Sequence, residues 1–304
     1  PQELPATASI SWQTRRPVPP LSPHETQLCL DPLAQPEALS DLLQGAEVVL
    51  CLAGSIPGRT GRSGGSGPGH RDDLADNWRL GEAVVQAAAK AASQGGAPPP
   101  RVLLTSSAAV YGNRSGLLRE NAPLHPANGY GAAKLEMEQR SLALAAALGV
   151  PVTALRIGNI AGLDAILGGW RAGFTLDRFS DGRSPRRSYI GVRTLARILA
   201  ALVAQPQLPA VLNLAQPGPV EMAALLRAAG RDFAWRPAPE AAIAEVDLDV
   251  TELRHCLAAA GPQPLVPADP GRMLAEWAAL ESVFAQSTSQ DSPSQGNPKE
   301  SPKL

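Results

Sequence analysis

At 304 residues and 44% hydrophobic content, the chain can form one large α/β unit or two smaller ones around an apolar core. Its net charge of −1 excludes an electrostatic case for nucleic acid or for an anionic membrane. No run approaches the roughly 18 apolar residues of a membrane span, and no secretory signal is visible, so a cytoplasmic location is expected.

Taken in order, Ala8 to Arg16 reads as a strand ending in two arginines, and the proline-rich 17–23 as a loop. Thr26 to Asp31 is a short strand. Pro36 to Gly45 is a helix, with proline near its start and glycine near its end. Glu47 to Gly54 is an apolar strand, and 55–70 a Gly/Ser/Pro loop. Asp73 to Ser93 is an alanine-rich helix, 101–107 a strand, 130–148 a helix and 150–157 a strand. Beyond Gly162 the pattern loosens to a helix at 192–204, a strand at 211–214, and helices at 220–229 and 273–284. Residues 286–304 have little to bury and are expected to be disordered. Strands alternating with helices imply βαβ units and a parallel sheet. Cys29 and Cys51 sit in apolar runs and read as buried reduced thiols. With Cys256 and four scattered histidines they make no metal-ligand spacing, so no metal is expected.

Residues 101–134 carry the strongest chemical signal. A buried strand ends in Thr105-Ser106-Ser107, followed by Ala108-Ala109-Val110-Tyr111-Gly112. A polar loop then leads to Tyr130-Gly131-Ala132-Ala133-Lys134 on a helix. Positions i and i+4 share a helix face, so Tyr130 and Lys134 point the same way. An ammonium beside a phenol favours the phenolate, and such a tyrosine can move a proton to or from a hydroxyl. Ser107 is placed to hydrogen-bond the same oxygen. A tyrosine four residues before a lysine is common by chance; the whole set at this spacing is not.

That set resembles the extended short-chain dehydrogenase/reductase superfamily and, more narrowly, its NAD-dependent epimerase/dehydratase branch, from about residue 8 to about 230. The resemblance implies a Rossmann-like, doubly wound α/β fold with a small C-terminal α/β substrate-binding part. It implies a cofactor domain over 1–162, a substrate part over 163–285 and a tail over 286–304. Catalysis falls to Ser107, Tyr130 and Lys134, with Asn77 supporting the lysine. Cofactor contacts fall to Arg15, Arg16, Asp31, Ala53, Gly54, Tyr130, Lys134 and Ile157, and substrate contacts to Asn159 and Arg187. Two arginines where the adenosine ribose lies favour NADP, with NAD the other candidate. Histidine is usual in the family where Gly191 stands, and aspartate where Thr194 stands. The stretch from Asn159 to Arg187 is shorter than sugar-nucleotide members carry. Ala108 and Ala109 stand where dehydratases place acids, which argues against elimination chemistry.

The glycine-rich phosphate loop of such folds has one mimic, Gly58 to Gly64. Gly65-Ser66-Gly67-Pro68-Gly69 follows it and does not open a helix. If 8–14 is the second strand of the fold, a first strand and phosphate loop of roughly 25–35 residues are expected upstream of Pro1. The sheet should then hold an unfilled central position. The expected function is an NAD(P)-dependent oxidoreductase or epimerase acting at a hydroxyl or carbonyl carbon of a small molecule, a sugar or sugar nucleotide among the candidates. A homodimer is compatible with it. The alternative is a non-catalytic NADP-sensing or partner-binding protein on the same fold.

Overall fold

Two apolar ladders joined by helices set the frame. The computed structural model describes residues 3–5, 8–17, 24–56, 74–259 and 265–290. The glycine-rich 58–64 stretch, most of the 17–23 loop and residues 291–304 lie outside them. Strand β1 (Ile10–Thr14) pairs in parallel with β2 (Glu25–Cys29), followed by α1 (Pro36–Leu42), β3 (Val48–Cys51), α2 (Asp76–Gly95) and β4 (Arg101–Ser107). After a 3-10 turn at Ala108–Tyr111 come β5 (Gly116–Leu118), α3 (Gly129–Leu148) and β6 (Val152–Ile157). Next are β7 (Asn159–Ile160), β8 (Thr175–Arg178), β9 (Arg186–Arg187), β10 (Tyr189–Ile190), α4 (Val192–Val203) and β11 (Val211–Leu214). The chain closes with β12 (Val220–Glu221), α5 (Met222–Ala228), β13 (Ala234–Pro237), β14 (Glu245–Leu248), α6 (Thr251–Ala259) and α7 (Pro270–Gln290).

The central sheet is parallel, in the order β11-β6-β4-β3. Alternation along its strands sends Val102 and Leu104 to a core with Leu39, Val84, Val85 and Met137 of α1, α2 and α3. Leu103 and Leu155 face Ile198 and Leu202 of α4 and Leu253 of α6. Helices therefore cover both faces, as the doubly wound α/β expectation requires.

The sheet is in two pieces. β1 and β2 form a sheet of their own, and among the described residues no pairing joins β1 to β3. β11 lies in the central sheet although it follows Gly162 in sequence. The small part holds the sheet β12-β9-β14-β5, into which β5 is inserted from the first half. β5, β7 to β10, β12 to β14 and α6 are too short or irregular to be legible as periodic runs.

Three expectations are corrected. Cys29 is exposed, on an edge strand of a two-stranded sheet. Helix α2 starts at Asp76, later than expected, which puts Asn77 in its first turn. Helix α7 runs to Gln290, past the expected start of disorder at Gln286; no glycine or proline interrupts 272–290.

Candidate active site

The carboxyl ends of β3, β4 and β6 lie side by side, and the residues marked by the sequence cluster there. Ser107 ends β4 opposite Ile157 of β6. Its Oγ accepts from the Ala109 N–H at 3.2 Å and so caps the 3-10 turn. Helix α3 starts where the Asn128 side chain accepts from the Gly131 N–H at 2.8 Å. Gly131 brings that first turn onto the chain after β4: a Cβ there would lie 2.5 Å from the Ala109 carbonyl oxygen. The outcome sets the Ser107 hydroxyl beside the partly buried Tyr130 phenol, near enough to act on its pKa.

Lys134 is 4% exposed, and its Nζ donates to the Thr105 carbonyl at 2.9 Å. It lies 5.9 Å from the centroid of the Tyr130 ring. Burial brings its pKa down to about 8, against which Cys51 and Glu138 pull upward. The expectation that Lys134 lowers the Tyr130 pKa is corrected. Burial raises the phenol, and the neighbouring Ser107 hydroxyl is what draws it down.

Asn77 is 1% exposed and pins the chain after β3. Its Nδ2 donates to the carbonyls of Ser55 at 3.0 Å and Leu74 at 3.1 Å, and its Oδ1 accepts from the Ser55 N–H at 3.3 Å. A Cβ on Gly54 would lie 2.7 Å from Asn77 Oδ1 and 3.0 Å from Lys134 Nζ. Ala53 and Gly54 thus present bare, exposed backbone directly over the lysine. Burial pushes the Cys51 thiol up.

With this geometry in place, the sequence profile of the NAD dependent epimerase/dehydratase family matches residues 11–215. The chain belongs to this family of enzymes. Among curated proteins none matches it in sequence. MoeE5, solved with UDP-glucuronic acid and NAD, aligns at TM-score 0.65 and 22% identity over 89% of this chain and 91% of its own. The UDP-glucuronic acid 4-epimerase of Bacillus cereus, solved with UDP-glucuronic acid and NAD, aligns at 0.65 and 17%, over 86% and 83%. DesIV, a dTDP-glucose 4,6-dehydratase of Streptomyces venezuelae solved with NAD, aligns at 0.61 and 18%, over 86% and 82%. At these identities the likeness is one of fold, and the Rossmann-like class expected from the sequence is the fold of the epimerase/dehydratase family.

The remaining family-implied residues are placed unevenly. Ile157 is buried at the end of β6, and Asn159 follows it. Asn159 pairs in β7 with Tyr189 of β10, whose hydroxyl donates to Asp164 Oδ2 at 2.8 Å. Arg187 is spent on main-chain carbonyls: Nη2 donates to Ile243 at 2.9 Å, Nη1 to Arg186 at 2.8 Å. Arg15 and Arg16 are exposed beyond β1, and Asp31 Oδ1 accepts from the N–H of Leu33 at 3.0 Å. Among the described residues no hydrogen bond or ion pair joins these three to the Ser107–Tyr130–Lys134 cluster. A groove of about 660 Å³ lined by Arg178, Trp235 and Pro239 shares no residue with that cluster.

Two features escaped the sequence. Where the family has histidine, Gly191 leaves room for the Glu276 carboxylate of α7, which caps α4. Glu276 accepts from the N–H of Arg193 and of Thr194, both at 2.9 Å, and from Thr194 Oγ1 at 2.6 Å. The second is an ion pair behind Lys134, Glu138 with Arg156. Its signal was there: an arginine inside the apolar run Val152–Ile157 must find a buried partner.

Proposed function

We propose that the chain is an NAD-dependent epimerase or oxidoreductase acting at a hydroxyl- or carbonyl-bearing carbon of a nucleotide sugar. The observation that carries this is the gathering of Ser107, Tyr130 and a buried Lys134 at the carboxyl ends of three parallel strands. Ligands of open α/β sheets bind at such an edge. The nucleotide sugars and NAD of the structural neighbours favour the substrate and cofactor class.

The residues here fit a nicotinamide dinucleotide. The cradle at Gly54, which a Cβ would fill, lets a flat ligand lie against bare backbone over Lys134. Bound NAD supplies the hydride acceptor for the substrate carbon. Ser107 Oγ donates to the substrate oxygen, and Tyr130 Oη takes or returns the proton of that oxygen. Lys134, held by the Thr105 carbonyl, is free to donate its other ammonium hydrogens to ribose hydroxyls. Asn77 holds the Ala53–Ser55 backbone in place, and Ile157 closes the floor. We assign residues 1–162 to the cofactor and 163–285 to the substrate side, with Arg187 in the second part and Asn159 at the end of the first contributing to the substrate contact. Arg187 must exchange a carbonyl for a diphosphate oxygen to bind one.

NAD is favoured over the NADP suggested by Arg15 and Arg16, because the family profile and the neighbours are NAD-linked. Those arginines and Asp31 are assigned to the adenosine end. With alanines at 108 and 109, no carboxylate follows Ser107 to drive elimination, which favours epimerisation or oxidation over dehydration.

The test is Tyr130→Phe, assayed with NAD on UDP-glucuronic acid, UDP-glucose and dTDP-glucose. Wild type should convert at least one, and the variant should be slower by about 10²–10⁴-fold with its NAD-induced thermal shift kept. Undiminished turnover overturns the assignment. A thermal shift with NAD but no turnover by wild type on any nucleotide sugar favours the non-catalytic alternative.

A further inference from the structure

We propose that Glu138 is a positioning residue: clamped by Arg156 and Ser106, it fixes α3 on β4 in the register that joins Tyr130 to Ser107. It also gives the buried Lys134 ammonium its nearby negative charge. The inference rests on the function proposed above for its effect on turnover, but not for its effect on Lys134.

The geometry is that of a three-point register lock. Tyr130, Lys134 and Glu138 follow one another at intervals of four on α3, one face of the helix. Three consecutive residues of β4 face them: Ser107 lies beside the phenol, the Thr105 carbonyl accepts from the ammonium, and the Ser106 hydroxyl bonds the Glu138 carboxylate. From the other side Arg156 of β6 grips Glu138, with Nη2 to Oε2 at 2.7 Å and Nε to Oε1 at 3.1 Å. Glu138 is 2% exposed and Arg156 3%. Arg156 Nη1 donates onward to Tyr111 Oη at 3.0 Å and the Glu120 carbonyl at 2.8 Å, and Tyr111 donates to Asn213 of β11 at 2.7 Å. The lock thus runs across β4, β6 and β11.

A buried ion pair is a poor source of net stability, because desolvation offsets most of its attraction. Stability alone does not account for placing one behind the site; register does. The charges facing Lys134 point the same way. They are Tyr130 and Glu138 on α3 and the Cys51 thiol at the end of β3, beside the uncharged Thr105 carbonyl and Asn77. Burial keeps the Cys51 thiol and Tyr130 phenol protonated at neutral pH. Glu138 is then the anion left to counter the burial of Lys134.

The chain has four lysines, Lys90, Lys134, Lys299 and Lys303. NMR of the full chain carrying ε-labelled lysine, with Lys134 assigned by Lys134→Arg, follows each titration without substrate. In Glu138→Gln, which keeps the shape and loses the charge, the Lys134 midpoint should fall by about one pH unit or more. The other three should stay. The fall of kcat/KM on the alkaline side should move to lower pH with it. In Glu138→Gln/Arg156→Gln, which also removes the orphaned cation, the midpoint should lie between wild type and the single variant. If the single variant does not fold, the double variant decides, by lying below wild type. An unchanged Lys134 midpoint in either folded variant overturns the proposal. A lowered midpoint in an enzyme that Tyr130→Phe leaves fully active would overturn the assigned chemistry and leave the Glu138 effect standing.

Discussion

The carboxyl edge of the central sheet and the β1–β2 sheet are both parallel, yet they are held very differently. β4 pairs with β3 on one side and β6 on the other, with α3 across it. There Ser106, Lys134, Glu138 and Arg156 are all buried and all partnered. Among the described residues, β1 and β2 pair only with each other. Their side chains meet in exposed rungs such as Ser11 with Thr26 at 3.0 Å, while Leu28 is 41% exposed. In the first region several elements determine each side-chain position; in the second, one ladder does. Proton transfer needs the first kind of control.

That contrast breaks or sharpens by substitution, and the largest effect belongs to the buried pair. Arg156→Leu leaves the Glu138 carboxylate buried and alone, and urea unfolding should register a loss of about 3–5 kcal/mol. Lys134→Met comes next and carries a pH signature. The folded state holds Lys134 at about 8 instead of 10.5, so it releases that proton before the unfolded chain does. Wild-type stability relative to the variant should therefore rise with pH between those values, by at most about 3 kcal/mol. Parallel pH dependence in the two proteins would remove the buried ammonium from the account. Gly54→Ala forces a methyl against Asn77 and Lys134 and should cost about 1–2 kcal/mol, with weakened NAD binding by calorimetry. Smallest of all, Arg15→Ala with Arg16→Ala should leave unfolding within about 0.5 kcal/mol. A loss there as large as that of Arg156→Leu would erase the difference between the regions.

What the sequence disclosed follows the same division. β3, β4 and β6 were legible as continuous apolar runs, and α3 as an alanine-rich stretch with no breaker between Gly131 and Gly149. Tyr130 and Lys134 were found because a helix fixes what four residues of spacing means. The pKa of Tyr130 was misjudged because burial depends on elements distant in sequence, which spacing does not report. Glu138 and Arg156 were passed over for a similar reason: each looks ordinary alone, and only the strand order brings them together. The short strands from β7 to β10 have two to four residues each, too few for any period to emerge. The roles of Arg15, Arg16 and Asp31 came from family likeness alone, and the exposed end of β1 adds no contact to support them.

The central claim is that Ser107 and Tyr130 act as one unit, and the ionisation of Tyr130 tests it without a substrate. The chain has three tyrosines, and Tyr111 and Tyr189 are fully buried with phenols pushed upward. In a spectrophotometric titration the first phenol to ionise should therefore be Tyr130, above its ordinary value of 10.0, and Tyr130→Phe should delete that step. Ser107→Ala should move the step to higher pH, since the Ser107 hydroxyl is what draws the phenol down. A step that stays in place or moves to lower pH in Ser107→Ala would contradict the account.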